Sequence, residues 1–263
     1  MARLAAAFEA MRGRTEPGLV AYVTAGDPTL ERTAEILVSL SENGAEVIEV
    51  GVPFSDPLAD GPVIQRASER ALASGTTLKR TLAMIRDTRA TVTAAIVLFT
   101  YVNPILRMGE DAFVAAAAGA GVDGVLVLDL PVEEAGPLRA KLVAAGLDPI
   151  FLLSPTTTDA RIRASAELGR GFLYVISRLG VTGMRDQLAN DVEPLVRRIR
   201  AQTSLPLALG FGISKPEHVA DVGRWADAAV VGSALVNVIA ESGASPDVAQ
   251  RAGAYVRWLK GLA

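Results

Sequence analysis

The sequence contains no cysteine and a single histidine, His218, among its 263 residues. Without cysteine there are no disulfides, thiolate metal sites or cysteine nucleophiles. One imidazole cannot build a multi-histidine metal centre, and any Ser-His-Asp triad would have to use His218. Apolar runs of the ~18 residues that a membrane span needs are also missing. The stretch Met1–Arg14 holds the apolar run Leu4–Phe8 but breaks at Glu9 and lacks a cleavage-like end. It reads as an amphipathic helix, not a signal peptide. Neither charge sign dominates: 26 Lys and Arg stand against 29 Asp and Glu, a net −3. No basic excess therefore supports bulk nucleic-acid binding. With half of its residues hydrophobic and 21% charged, the chain is globular and not disordered. A cytoplasmic chain with neither membrane nor nucleic-acid partner is expected.

What is present is a recurrence of short apolar, often β-branched runs. They are Leu19–Thr24, Val47–Val50, Ala94–Thr100, Gly124–Leu128, Pro149–Leu153, Phe172–Ile176, Pro206–Gly210 and Ala228–Val231. Most are apolar throughout, as strands covered on both faces of a parallel sheet must be. Helical spacings of three and four fill the intervals, as at Leu30, Ala34, Leu37 and Leu40, or at Val192, Leu195, Val196 and Ile199. Eight strands alternating with helices, and no Gly/Ser-rich linker, predict an α/β fold. The expected form is a (β/α)8 TIM barrel with an extra N-terminal helix, residues 1–263 forming one domain. Periodicity alone also fits a doubly wound open sheet. The second and third strands start 47 residues apart and the sixth and seventh 34, the others 22 to 30. Extra length in a compact domain points to functional loops, so the chemistry is expected after strands two and six.

After the second strand comes Glu49-Val-Gly-Val-Pro-Phe-Ser-Asp-Pro-Leu-Ala-Asp60-Gly-Pro. A carboxylate closing an apolar strand is costly to bury and sits on the active-site face of a barrel, where burial raises its pKa toward neutrality. Pairing with a nearby Arg or Lys is the alternative for Glu49, and a turn or cap role the alternative for Asp56 and Asp60. After strand six, Ser177–Gly183 and the polar 184–190 stretch read as a lid over substrate or as an ordinary exposed loop. After strand seven, Gly210-Phe-Gly212-Ile-Ser214 runs into Lys215-Pro216-Glu217, with Ser214 and Glu217 spaced as a capping box. After strand eight, Val231-Gly232-Ser233 opens another helix. Such paired turns present free N–H groups to an anion and form the usual phosphate site of a barrel. His218 reads as a solvated surface residue. Strand-end aromatic and aliphatic residues fit either core packing or an apolar slot for an aromatic substrate.

The run Ile48–Gln65 resembles the signature of the tryptophan synthase alpha subunit family. The likeness continues at Ala21–Pro28, Asp123–Glu134, Ser177–Gly183, Gly210–Ser214 and Gly232-Ser233. The resemblance implies a lyase of tryptophan biosynthesis that splits indole-3-glycerol phosphate into indole and glyceraldehyde 3-phosphate. It also implies an αββα heterotetramer with a beta subunit. No metal or organic cofactor is implied for this chain, pyridoxal phosphate belonging to the partner. By resemblance, Glu49 moves the protons, Asp60 holds the indole N–H, Tyr174 supports the glutamate and Thr182 orients the aspartate. Gly183, Gly212, Gly232 and Ser233 match the phosphate-binding positions. Tyr22, Ile64, Phe99, Tyr101, Leu126, Leu152 and Val230 match the indole pocket. The partner is expected to dock against Pro53–Pro57 and the segment near Asn103-Pro104. A free-standing lyase that releases indole without a partner is the alternative.

Overall fold

The computed structural model describes residues 3–14, 16–176, 185–210 and 212–262, with backbone alone for 185–191. Helix α1 (Arg3–Met11) precedes strand β1 (Gly18–Thr24) and helix α2 (Leu30–Glu42). Strand β2 (Val47–Gly51) is followed by two helices, α3 (Pro62–Ala73) and α4 (Leu78–Thr88). Strand β3 (Ala95–Thr100) is likewise followed by α5 (Val102–Met108) and α6 (Glu110–Ala120). Then come β4 (Gly124–Val127), α7 (Gly136–Ala144), β5 (Asp148–Leu153), α8 (Asp159–Leu168) and β6 (Leu173–Ile176). The chain continues through α9 (Arg185–Arg200), β7 (Leu207–Gly210), α10 (Pro216–Val222), β8 (Ala228–Val231), α11 (Ser233–Ser242) and α12 (Val248–Leu259).

The strands pair in parallel in chain order, and β8 returns to β1. This closure excludes the open sheet and confirms the barrel. Part of the long interval after β2 is the additional helix α4, so the loop at the C-terminal end of β2 is the 52–61 segment.

Alternate strand residues point to opposite faces, and the fully apolar runs feed two cores. Val20, Tyr22, Val47, Val97, Leu126 and Ile150 fill the barrel interior. The intervening residues, such as Leu19, Ile48, Ile96 and Leu173, meet the surrounding helices. The N-terminal mouth is closed by α1: Leu4, Phe8 and Met11 are buried, and the Phe8 ring lies 5.1 Å from that of Phe172. Three carboxylates brace the same end. Glu46, Asp123 and Asp227 immediately precede β2, β4 and β8, and accept the backbone N–H of Leu19, Ile96 and Leu207 at 2.7–2.8 Å. Each also pairs with a cation: Lys260 and Arg14 at Glu46, Arg89 and Arg3 at Asp123, Arg200 at Asp227.

The expected capping box does not form, and proline is the reason. A residue that precedes proline is driven to extended backbone, so Lys215 (φ −144°, ψ 156°), just before Pro216, becomes the N-cap of α10. Ser214 then lies one residue too early, and its N–H goes instead to His218 Nδ1 at 3.2 Å. His218 is half-buried and bonded, not a solvated surface residue. Among the described residues no helix is long and apolar enough to cross a membrane.

Candidate active site

The C-terminal mouth gathers the interior-facing residues of the strand ends. Glu49 faces inward from β2, beside Tyr22 of β1 and Val97 of β3 in the strand register. Its side chain has no exposure to solvent, and neither carboxylate oxygen has a hydrogen-bond partner among the described residues. Desolvation alone pushes its pKa up to about 8. Buried carboxyls in folded proteins are normally paired, so an orphaned one in a mouth of this kind marks a candidate proton donor.

Asp60 ends the loop after β2, one residue before the Gly61 N-cap of α3. It is half-buried, which raises its pKa to about 6, and the Tyr101 hydroxyl opposes that rise by donating to Oδ2 at 3.1 Å. The family resemblance groups Tyr101 with the indole pocket; its hydroxyl sits between Asp60 and Ala59, accepting the Ala59 N–H at 3.1 Å. The Tyr101 ring stacks on Phe54 of the same loop, 4.9 Å between centroids. Gln65, in the first turns of α3, donates its side-chain amide to the Asp60 carbonyl at 2.9 Å. The sequence alone assigns Gln65 no role, since nothing local shows which way its amide turns.

Tyr174 lies on β6 in register with Leu152 and Ala208. Burial first, then the proximity of Glu49, raises its phenol, and burial does the same at Tyr22. Both therefore stay protonated donors. Space for them comes from glycine: a Cβ on Gly51 would lie 2.2 Å from the Tyr22 hydroxyl, and one on Gly210 3.1 Å from that of Tyr174. The Phe99 ring meets Tyr22 edge-on at 5.1 Å. Leu126 and Val230 are buried in the same interior cluster, with Ile64 packed against it. Leu152 is half-buried and also lines a cavity between the loops after β4 and β5.

Gly212 is exposed, with φ +77°, a conformation that favours glycine. Gly232 is the N-cap of α11 and Ser233 its first residue; no side chain caps that end among the described residues. The first-turn N–H groups of α11 are thus left for another acceptor. Thr182 and Gly183 lie outside the described residues, as does the rest of 177–184.

A closed parallel barrel carrying at its C-terminal mouth a buried carboxyl with no partner among the described residues is the layout of a (β/α)8-barrel enzyme working by acid–base chemistry. The family model described as "Tryptophan synthase alpha chain" matches residues 8–260, and the chain belongs to that family. It is 48% identical over 260 residues to a tryptophan synthase alpha chain of Solibacter usitatus, covering 99% of this chain and 97% of that one. The crystal structure of tryptophan synthase subunit alpha from Legionella pneumophila superposes with a TM-score of 0.90 at 38% identity, covering 100% and 98%. A tryptophan synthase complex from Pyrococcus furiosus gives a TM-score of 0.85 at 37% identity, covering 94% and 98%. The family's reaction is the cleavage of indole-3-glycerol phosphate, a lyase reaction, and its alpha chain works in a complex with a beta subunit.

Proposed function

We propose that Glu49 and Asp60 carry this cleavage, and the observation which carries the assignment is the fully buried carboxyl of Glu49, unpartnered among the described residues. The reaction is a retro-aldol. Protonated at neutral pH, Glu49 delivers its proton to C3 of the indole ring, and positive charge develops on the ring nitrogen. The Asp60 carboxylate accepts the ring N–H and stabilises that charge. The Glu49 carboxylate then takes the proton of the hydroxyl on the attached glycerol carbon. That carbon becomes the aldehyde of glyceraldehyde 3-phosphate as its bond to C3 breaks, and the bonding electrons return to the ring as indole. Glu49 ends protonated, so one carboxyl serves both transfers. Tyr174 holds a neutral hydroxyl near Glu49, and Thr182 orients Asp60. Tyr22, Ile64, Phe99, Tyr101, Leu126, Leu152 and Val230 wall the indole, while the N–H groups of Gly183, Gly212, Gly232 and Ser233 hold the phosphate. The chemistry is complete with side chains and backbone, and needs no cofactor. Residues 1–263 act as one barrel domain, a reading supported by α1 and α12 both packing onto the barrel. A cytoplasmic setting suits a phosphorylated substrate that does not cross membranes.

The deciding experiment is Glu49→Gln, which keeps shape and removes the titrating proton. General acid–base catalysis is typically worth ~10²–10⁴-fold, and a residue used twice belongs at the upper end. Indole release should fall by that factor while a glycerol-phosphate analogue still binds. Turnover within a few-fold of the parent chain would make Glu49 structural.

A further inference from the structure

We propose that Tyr255 and His218 are positioning residues for the substrate phosphate: together they clamp Ser214 and so aim the turn after β7 at its ligand. The inference rests on the reading of Gly212, Gly232 and Ser233 as the phosphate site and adds the parts that hold it in shape. Gly212 itself is held by little. It is exposed, and a Cβ built on it would meet no described atom within 4 Å. The turn is fixed two residues later instead. The Ser214 N–H donates to His218 Nδ1 at 3.2 Å, and the Ser214 carbonyl accepts from the Tyr255 hydroxyl at 3.0 Å. Both peptide planes flanking Ser214 are therefore set by side chains, while Ile213, 1% exposed, anchors the segment to the core.

The two clamps come from different elements. His218 belongs to α10, and Tyr255 to α12, 41 residues beyond Ser214. Helix α12 also packs against α11, whose N-cap is Gly232 and whose first residue is Ser233. One helix thus backs both halves of the cradle, by a hydrogen bond to the β7 turn and by packing on α11. Tyr255 is half-buried and touches Trp258, ring centroids 5.6 Å apart, which limits where its hydroxyl can go. Backbone donors recognise an anion only when their directions are fixed beforehand, since ordering a loose turn on binding subtracts from affinity.

The test uses the full chain, with glycerol 3-phosphate as the binding probe and indole-3-glycerol phosphate for kinetics. Tyr255→Phe keeps the ring and deletes the donor. A net hydrogen bond corresponds to about 2–10-fold, so the Kd for glycerol 3-phosphate and the KM should rise by that factor. The kcat should hold, because Glu49 and Asp60 sit on other elements. His218→Leu should act in the same direction, and His218→Asn, whose amide oxygen can take the place of Nδ1, should restore affinity. An effect confined to the thermal midpoint, or one falling on kcat with KM unchanged, would overturn the proposal. Should Tyr255→Phe fail to fold, the Leu and Asn variants at 218 decide by the same criterion. Ser233→Asp separates the two levels. If it abolishes binding while the clamp variants bind normally, the clamp is wrong and the phosphate site stands; if it too binds normally, the phosphate lies elsewhere.

Discussion

A carboxyl buried without a partner stays protonated because ionising it would leave a bare charge away from water. At Glu49 this persists up to about pH 8, while Asp60, less buried and supported by the Tyr101 hydroxyl, ionises above about 6. The mechanism needs the first acidic and the second ionised. We therefore predict that kcat/KM of the free chain rises with pH through about 6 and falls through about 8. A profile that stays flat on the alkaline side would remove Glu49 as the proton donor. The same burial has a cost in stability, and its sign runs opposite to that of a salt-bridged acid. The folded state keeps the Glu49 proton up to about 8, whereas the unfolded chain loses it near 4.5, so stability declines as pH rises between those values. Glu49→Gln should be the more stable chain at pH 7 by about 3 kcal/mol, each pKa unit being ~1.4 kcal/mol. The advantage should vanish at about pH 4, where both states hold the proton. Denaturant unfolding at the two pH values checks this, and a variant less stable than the parent at pH 7 would contradict the burial account.

Helix α1 and the carboxylates that precede β2, β4 and β8 act at the end of the barrel opposite the chemistry. Phe8, 2% exposed and packed on Phe172, should cost about 3–5 kcal/mol when cut to Ala, the range for large aromatic truncations in cores. Asp123→Ala strands the Ile96 N–H and leaves Arg89, itself nearly buried, without its anion. Breaking a buried pair in this way costs about 3–5 kcal/mol. Both variants should keep kcat near that of the parent chain, since the site lies at the other mouth. A loss of kcat without loss of stability would show that the two ends are coupled. These elements also mark how far a sequence can be read. The eight strands are legible within two residues, because an apolar run buried on both faces has no other use. Glu49 is legible as a candidate because a charge ending such a run is costly to bury, and the ion pair that was its alternative does not form among the described residues. The capping box misleads because Pro216 overrides a side-chain pattern by moving the helix start to Lys215. Gln65, His218 and Tyr255 stay silent, since their partners are set by how distant elements meet and not by local spacing.

Across the whole molecule, the surface we propose for the beta subunit connects to Asp60, the proposed stabiliser of the indole nitrogen, in two steps. The loop after β2 and helix α5 share one groove, lined among others by Pro53, Phe54, Leu78, Pro104 and Met108. On the same loop Leu58 is 94% exposed, and on α5 Leu106 is 56% exposed. Phe54 stacks on Tyr101, and the Tyr101 hydroxyl bonds both Ala59 and Asp60. A partner seated on Pro53–Pro57 and near Asn103-Pro104 therefore bears on Asp60 through one ring and one hydroxyl. It would favour the arrangement in which Asp60 faces the indole nitrogen, raising the population of that form. Couplings of ~1–3 kcal/mol correspond to roughly 5–150-fold, so saturating beta subunit should speed indole release within that range. Phe54→Ala removes the stacking step and leaves Asp60 and Tyr101 in place. It should lower the rate of the isolated chain little and lose most of the activation, even at beta-subunit concentrations that restore full binding. Thr182→Val, if that residue orients Asp60, should reduce activation as well. Activation that survives Phe54→Ala undiminished at saturation would show that the partner reaches the site by another route, and an isolated chain already as fast as the complex would leave no coupling to transmit.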